Sequence, residues 1–220
     1  SRVMGKLLFS KSEISNWISG GQNNISNQKN PPNILLGSHD PLLELAVKQS
    51  KSGIAMSFDG STEGLERYKL NQGIASGLHI YDSDLETWNV PIVKKCLEKQ
   101  DFVLMEWAKR DRGLIYKPKE KSEKKSINEF LGQRLVTRQS GSGSDNYFKY
   151  ICKRENINSS DFISTEVTYS ENDAVSLILS DKADVTLGLA SEAKKHQLGF
   201  LHIVTERFDI VVNRISWFEK

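Results

Sequence analysis

Apolar positions along the chain change period several times, and each change marks an element. Leu7, Leu8 and Phe9 form a short strand-like run. Ser10 stands three residues before Glu13, the capping-box spacing, and Ile14, Trp17 and Ile18 then share one helical face that Gly20 and Gly21 end. This predicts a strand or wing followed by a short helix over residues 1–21. Residues 22–33 (QNNISNQKNPPN) are polar, lack aromatics and carry two prolines, the composition of a linker. From Asn33 the texture becomes strand, polar loop, helix, repeated. NILLGSHD precedes PLLELAVKQ; GIAMSFDGSTEG precedes LERYKLNQG; SGLHIYD precedes NVPIVKKCLEK. FVLMEWAKRDRGLIYKPK reads as strands around the polar segment Lys109–Gly113. A small helix, the strand Arg134–Arg138, a Gly/Ser turn and a helix follow, then DAVSLILSD (helix), ADVTLGLA (strand), EAKKHQLG (helix) and one or two closing strands. Strands alternating with helices predict α/β layers, with ligands expected beyond the strand ends.

Composition narrows the function classes. The formal net charge is +2 over 220 residues, which gives no general case for nucleic-acid binding. The one basic concentration, Lys117–Lys125, holds five lysines and two glutamates without an interleaved aromatic, and reads as a solvated loop rather than a phosphate track. No run approaches the 18 apolar residues of a membrane helix. The start, Ser1–Phe9, is too short and mixed for a signal peptide. Cys96 and Cys152 lack a partner motif and read as reduced thiols, which favours the cytoplasm.

The candidate chemistry lies in three loops. RQSGSGSDN, Arg138–Asn146, places glycines where several N–H groups can converge ahead of a helix N-terminus, with Ser140, Ser142 and Ser144 as further donors around Gly141. It is neither a P-loop nor a dinucleotide fingerprint, and alone it is equally a plain turn. DGSTEGL, Asp59–Leu65, offers Ser61 and Thr62; GSHD offers Ser38. Three such loops between strand and helix point to a shared ligand cleft, against the alternative of three capped turns. His39 and His79 stand at polar strand ends and suit either a ligand oxygen or the neighbouring backbone. His196 and His202 read as surface or structural. No HExxH, CxxC or GxSxG is present, so neither a metal, a cofactor nor a catalytic residue is expected. Asp59, Asp82, Asp84 and Asp111 are scattered among loops. Arg110, Arg112 and Arg138 suit anionic ligands or structural salt bridges, the latter slightly preferred for Arg110 and Arg112.

From Leu36 to about Val212 the chain resembles periplasmic-binding-protein-like domains of bacterial and archaeal regulators, some associated with molybdate. The resemblance is carried by GSHDP (Gly37–Pro41), GSTEGL (Gly60–Leu65), SGLHIYD (Ser76–Asp82), WNVP (Trp88–Pro91), RDRGLI (Arg110–Ile115), TRQSGSGS (Thr137–Ser144) and DAVSLILSDKADVTLGL (Asp173–Leu189). It implies an α/β, two-lobed type II periplasmic-binding-protein-like fold spanning 34–220. Lobe 1 would take about 34–112 and 198–220, and lobe 2 about 113–197. On these matches Ser38, Ser61, Thr62, Ser140 and Ser142 would face the cleft, and His79 and Arg138 fall within matched motifs; His39, Gly141 and Asn172 complete the ligand-binding candidates. The implied ligand is a small molecule or an oxyanion such as molybdate or tungstate. Three departures weigh against an anion: Glu63 in the GSxGG pattern, Asp145 for the basic residue of GSGTR, and Glu171–Asn172 where a TH pair is common. A neutral, zwitterionic or cationic organic ligand is the second expectation. The N-terminal GKLLFSKSEISNWISGG resembles the tail of an excisionase-like winged helix-turn-helix, implying DNA contact only through an upstream domain missing from this chain. A cytoplasmic sensor of a transcription regulator is thus expected; a transport receptor and a carboxylate-using enzyme are the alternatives, no membrane partner is expected, and a homodimer is open.

Overall fold

The computed structural model describes residues 2–3, 6–7, 31–118, 124–214 and 217. The chain divides into a first unit, Ser1–Pro31, and a second, Pro32–Lys220. In the first, strands β1 (Arg2–Val3) and β2 (Lys6–Leu7) form a two-residue antiparallel ladder. The expected short helix and most of the expected linker lie outside the described residues.

The second unit is built on one eight-stranded sheet in the order β10-β9-β11-β8-β12-β5-β3-β4. Two similar groups of three parallel strands flank a long antiparallel pair. The first group joins β3 (Ile34–Gly37), α1 (Pro41–Ser50), β4 (Ala55–Ser57), α2 (Ser61–Lys69) and β5 (Ala75–Leu78), with β3 central and parallel to both neighbours. The second joins β9 (Arg134–Arg138), α4 (Gly143–Arg154), β10 (Ile163–Thr168), α5 (Glu171–Leu179) and β11 (Val185–Leu189), with β9 central and parallel to both neighbours. Between the groups run β8 (Phe102–Tyr116) and β12 (Gly199–Asn213), paired antiparallel along their whole lengths. The tiny hairpin β6 (Tyr81–Asp82) and β7 (Thr87–Trp88), helix α3 (Val90–Cys96), helix α6 (Ala190–Lys195) and two short 3-10 turns (Ile127–Phe130 and Ser159–Asp161) complete the described part of the unit.

Local sequence accounts for these elements. Asp40 caps α1 by accepting the Leu43 N–H, and Pro41 opens the first turn with a φ already suited to a helix. Ser170 caps α5 by accepting the Asp173 N–H. In β3, Leu35 and Leu36 point to opposite faces and anchor different cores. Leu36 joins Leu65, Leu78, Val93 and Val211; Leu35 joins Leu43, Phe208 and Ile210. The largest cluster, including Leu114, Phe130, Leu135, Ile151 and Val185, fills the second group.

The polar segment Lys109–Gly113 was expected to separate two strands; instead β8 passes through it unbroken. Arg110 and Arg112 are buried in salt bridges, the reading preferred for them, because β12 sets Glu206 directly opposite Arg110. β10 also escapes the apolar pattern, since its edge position leaves Ile163 and Val167 exposed. Trp88 is half-buried against Tyr81 and Tyr147, whereas Trp217 is 45% exposed. Both cysteines are free thiols, Cys152 buried and Cys96 half-buried. Of the lysine-rich run, residues 119–123 lie outside the described residues; Lys117 and Lys124 form exposed ion pairs with Asp181 and Glu129.

Candidate functional site

The carboxyl ends of the parallel strands carry the candidate residues: Ser38 after β3, Gly60 and Ser61 after β4, His79 after β5, and Arg138–Ser142 at and after β9. Close backbone packing brings these ends together. A Cβ on Gly64 would lie 2.2 Å from the Gly37 Cα, so only glycines let α2 press its first turn onto β3. That approach sets the Ser61 Oγ 2.7 Å from the Ser38 Oγ, and Ser61 also accepts the His79 backbone N–H at 3.0 Å. Across the sheet, a Cβ on Gly143 would meet the His79 carbonyl at 2.2 Å, and one on Gly60 would come within 3.4 Å of the Ser142 Cα. The three Ser/Gly loops therefore meet, from both strand groups, around Ser38, Ser61, His79 and Ser142.

The hydroxyls keep donor capacity. Between Ser38 and Ser61 only one hydrogen is consumed, whichever side donates, so the pair retains a second. Ser142 accepts the Asp145 N–H as the cap of α4 and retains its own hydrogen. The other candidates stand differently. Thr62, Ser140 and Asn172 are exposed. Gly141 turns with φ +80° and donates its N–H to Asp145. His39 is buried, with Nε2 2.8 Å from Glu44 and Nδ1 unpartnered. His202 is exposed beside Asp111, and His196 lies near Glu192. Of the three charged departures, Glu63 is exposed, Asp145 bonds Gly141 and Lys149, and Glu171 is buried.

Beside the hydroxyls runs a buried chain of charges. His79 Nδ1 lies 3.0 Å from Glu206, whose carboxylate accepts from Arg112 Nε at 2.7 Å and Nη2 at 3.0 Å and also pairs with Arg110. Arg110 donates to Asp40 at 2.7 Å and stacks over Phe208. Arg112 Nη2 and Arg138 Nη1 both reach Glu171 Oε1 at 3.0 Å. Arg138 further donates to the carbonyls of Thr168 and Tyr169. Arg112 is 0% exposed, Glu206 0% and Glu171 2%. Three arginines thus meet three carboxylates, and the chain joins the first strand group (Asp40, His79) to the second (Arg138, Glu171) through both long strands.

The electrostatics follow from burial opposed by pairing. Burial pushes the Glu171 carboxyl up, but Arg112, Arg138 and Arg110 outweigh it and hold it at about 2. Burial likewise acts against Glu206, and Arg110, Arg112 and His79 bring it well below the usual carboxylate range. For His79, burial wins over the Glu206 attraction and lowers the imidazole, so it is neutral and donates Nδ1–H. Among the described residues no group of His, Cys, Asp and Glu could hold a metal.

Sequence reasoning singled out Ser38, Ser61 and Ser142, which the structure brings together, but not Glu206 or the inward placement of Glu171. Glu206 lies 94 residues from Arg112 and 127 from His79. Its sequence signal was the charged run Glu206, Arg207 and Asp209 within a closing strand whose other positions are largely apolar.

Comparison with known proteins agrees with this fold. The chain is 25% identical to YvgK of Bacillus subtilis (strain 168), a protein without assigned role, over 82% of this chain and 61% of that one. It therefore spans less than two thirds of that relative. The apo regulatory domain of HypT from Salmonella typhimurium superposes with a TM-score of 0.58 at 10% identity, covering 82% of this chain and 85% of that one. The CcmR regulatory domain of Synechocystis PCC6803, in complex with 2-PG, gives 0.57 at 11%, covering 82% and 86%. The QuiR effector-binding domain, in complex with shikimate, gives 0.57 at 12%, with the same coverages. The fold is the α/β, two-lobed type II periplasmic-binding-protein-like fold. A family model described as a PBP superfamily domain matches residues 42–220, and this chain belongs to that family.

Proposed function

We propose that this chain is a non-catalytic sensor module that closes on a small ligand, working as the regulatory part of a transcription factor in the cytoplasm. The observation that carries this is the meeting of Ser38, Ser61, His79 and Ser142 from both strand groups, with hydroxyl hydrogens left to offer. The regulatory and effector-binding domains of similar fold support the role. In this reading lobe 1 carries β3–β5 and lobe 2 carries β9–β11. The crossing would then fall near Arg112 and Val204, at one of the two register shifts in the pairing of β8 with β12. DNA contact would come from another domain. No helix among the described residues is long and apolar enough to cross a membrane.

The ligand in this reading presents acceptor oxygens to the serines, and an oxyanion of the molybdate or tungstate type meets that requirement. The matched charges nearby favour a second reading, a neutral or zwitterionic organic ligand, because the buried Arg110, Arg112 and Arg138 each already face a carboxylate. A thermal-shift screen of dialysed, metal-stripped protein separates them. The panel is molybdate, tungstate, sulfate, phosphate, shikimate and amino acids including arginine. A saturable rise with an oxyanion, lost in Ser38→Ala, supports the first reading. A rise only with an organic compound supports the second, and no rise with any of them counts against the sensor.

A further inference from the structure

Glu171 occupies an unusual position. It opens α5, behind the Ser170 cap, and its side chain turns inward rather than to solvent. One of its oxygens receives Arg112 Nη2 and Arg138 Nη1, each at 3.0 Å. Both arginines are held in place independently of it. Glu206 grips Arg112 through two nitrogens, and the carbonyls of Thr168 and Tyr169 grip Arg138. Arg112 Nη1 is buried without any hydrogen-bond partner, so the cradle has more donor capacity than Glu171 consumes. Two pre-oriented guanidinium groups on one desolvated carboxylate form an anion-recognition site.

We propose that the Arg112–Arg138 pair is a carboxylate-binding site that the chain fills with its own Glu171 side chain, so that removing this side chain opens the site to a free small carboxylate. The proposal goes beyond the ligand reading above and does not depend on what the serines bind. The fit can be specified atom by atom. Truncating Glu171 to alanine removes Cγ, Cδ and both oxygens, which are the heavy atoms of acetate. Acetate and formate are therefore the complementary ligands. Propionate carries one carbon more than the vacated space.

The test is the thermal stability of Glu171→Ala in acetate, formate or propionate against chloride at equal ionic strength, beside wild type and Glu171→Gln. The variant alone should melt below wild type. Acetate should raise its Tm saturably, on the order of 5 °C at a hundredfold excess over its Kd. Formate should act more weakly and propionate least. Wild type and Glu171→Gln, whose side chains still fill the space, should show no acetate-specific rise. A Glu171→Ala protein indifferent to acetate would overturn the proposal, as would an equal acetate response in wild type or Glu171→Gln. If Glu171→Ala is insoluble, refolding in acetate and in chloride takes over as the test: soluble protein in acetate alone supports the proposal, and insolubility or equal recovery in both overturns it. Failure here with an intact Ser38-dependent ligand response removes the tethered carboxylate and leaves the sensor reading standing.

Discussion

The hydroxyl cluster and the charged chain lie side by side and are built on different principles. Ser38, Ser61 and Ser142 are neutral, bonded to one another or to helix caps, and local in origin: each belongs to a strand-to-helix turn. Arg112, Glu206 and Glu171 are fully charged, nearly inaccessible and drawn from three distant segments. The first arrangement costs little to expose or occupy, because hydroxyls trade partners easily. The second repays desolvation only while every member is present. The serines therefore have freedom where the arginines have rigidity, and the two regions should respond differently to substitution.

The largest effect is expected from Arg112→Ala. It leaves Glu171 with Arg138 alone and Glu206 with Arg110 and a neutral His79, all in a desolvated interior. Stability should fall by about 3–5 kcal/mol, read from chemical denaturation. Adding Glu171→Gln to Arg112→Ala should cost less than the two single losses summed, since one orphaned charge is then removed. Strict additivity would mean that the ion pairs do not act as a connected unit.

Acid should separate the regions next. Glu171 and Glu206 have folded pKa values held below the usual 4.5, so their stabilisation is present above pH 4.5 and is lost as pH falls below it. With Glu171 held at about 2, that loss is on the order of 3 kcal/mol from this residue alone. His79 is held below its usual 6.5, so the unfolded chain takes its proton first and stability begins to fall as pH drops through 6.5. Urea midpoints against pH should show a shallow decline below 6.5 and a steeper one below 4.5. His79→Gln should erase the first and Glu171→Gln should blunt the second, while Ser61→Ala shifts the whole curve without changing its shape.

The same contrast explains what the sequence made legible. The alternation of β3, α1, β4, α2 and β5 is written in local periodicity, and the Ser/Gly turns announce strand ends because caps and tight turns are short-range chemistry. The unbroken β8 was not legible. RDRG reads as a polar break between two strands until Glu206 is known to pair with Arg110 and Arg112 from the opposite strand. Glu171 and Asn172 illustrate the limit within one turn of helix: they are adjacent in sequence, yet one is buried and the other exposed. Burial there depends on which side of α5 faces β11, and only the fold decides that. Asp145 shows the converse, since its bonds to Gly141 and Lys149 are both four residues away and are visible in the local pattern.

A third effect tests whether the loops must touch. Gly143→Ala places a Cβ against the His79 carbonyl, a backbone atom that cannot swing aside. Overpacking of this kind costs about 1–3 kcal/mol. Its diagnostic consequence is a changed His79: the ring that stacks on Phe208 and bonds Glu206 should shift, altering the pH-dependent imidazole signals in NMR. Unchanged signals would show that the serine loops and the charged chain are mechanically separate.

The smallest effect is expected at Ser142. Its hydroxyl accepts the Asp145 N–H at 3.1 Å, so Ser142→Ala removes the side-chain cap of α4 and should cost about 1 kcal/mol. Asp145 remains to accept the Gly141 N–H, which keeps the turn in shape and the loss small. The cost should not depend on pH between 5 and 8, because no ionisable partner is lost. Ser142→Gly should recover most of the stability, since glycine is a tolerated cap, yet it restores no hydroxyl. A ligand response that returns with glycine would assign Ser142 to the scaffold alone. A response lost in both variants would assign its hydroxyl to the ligand and make the serine loops, rather than the arginines, the place of recognition in the proposed sensor.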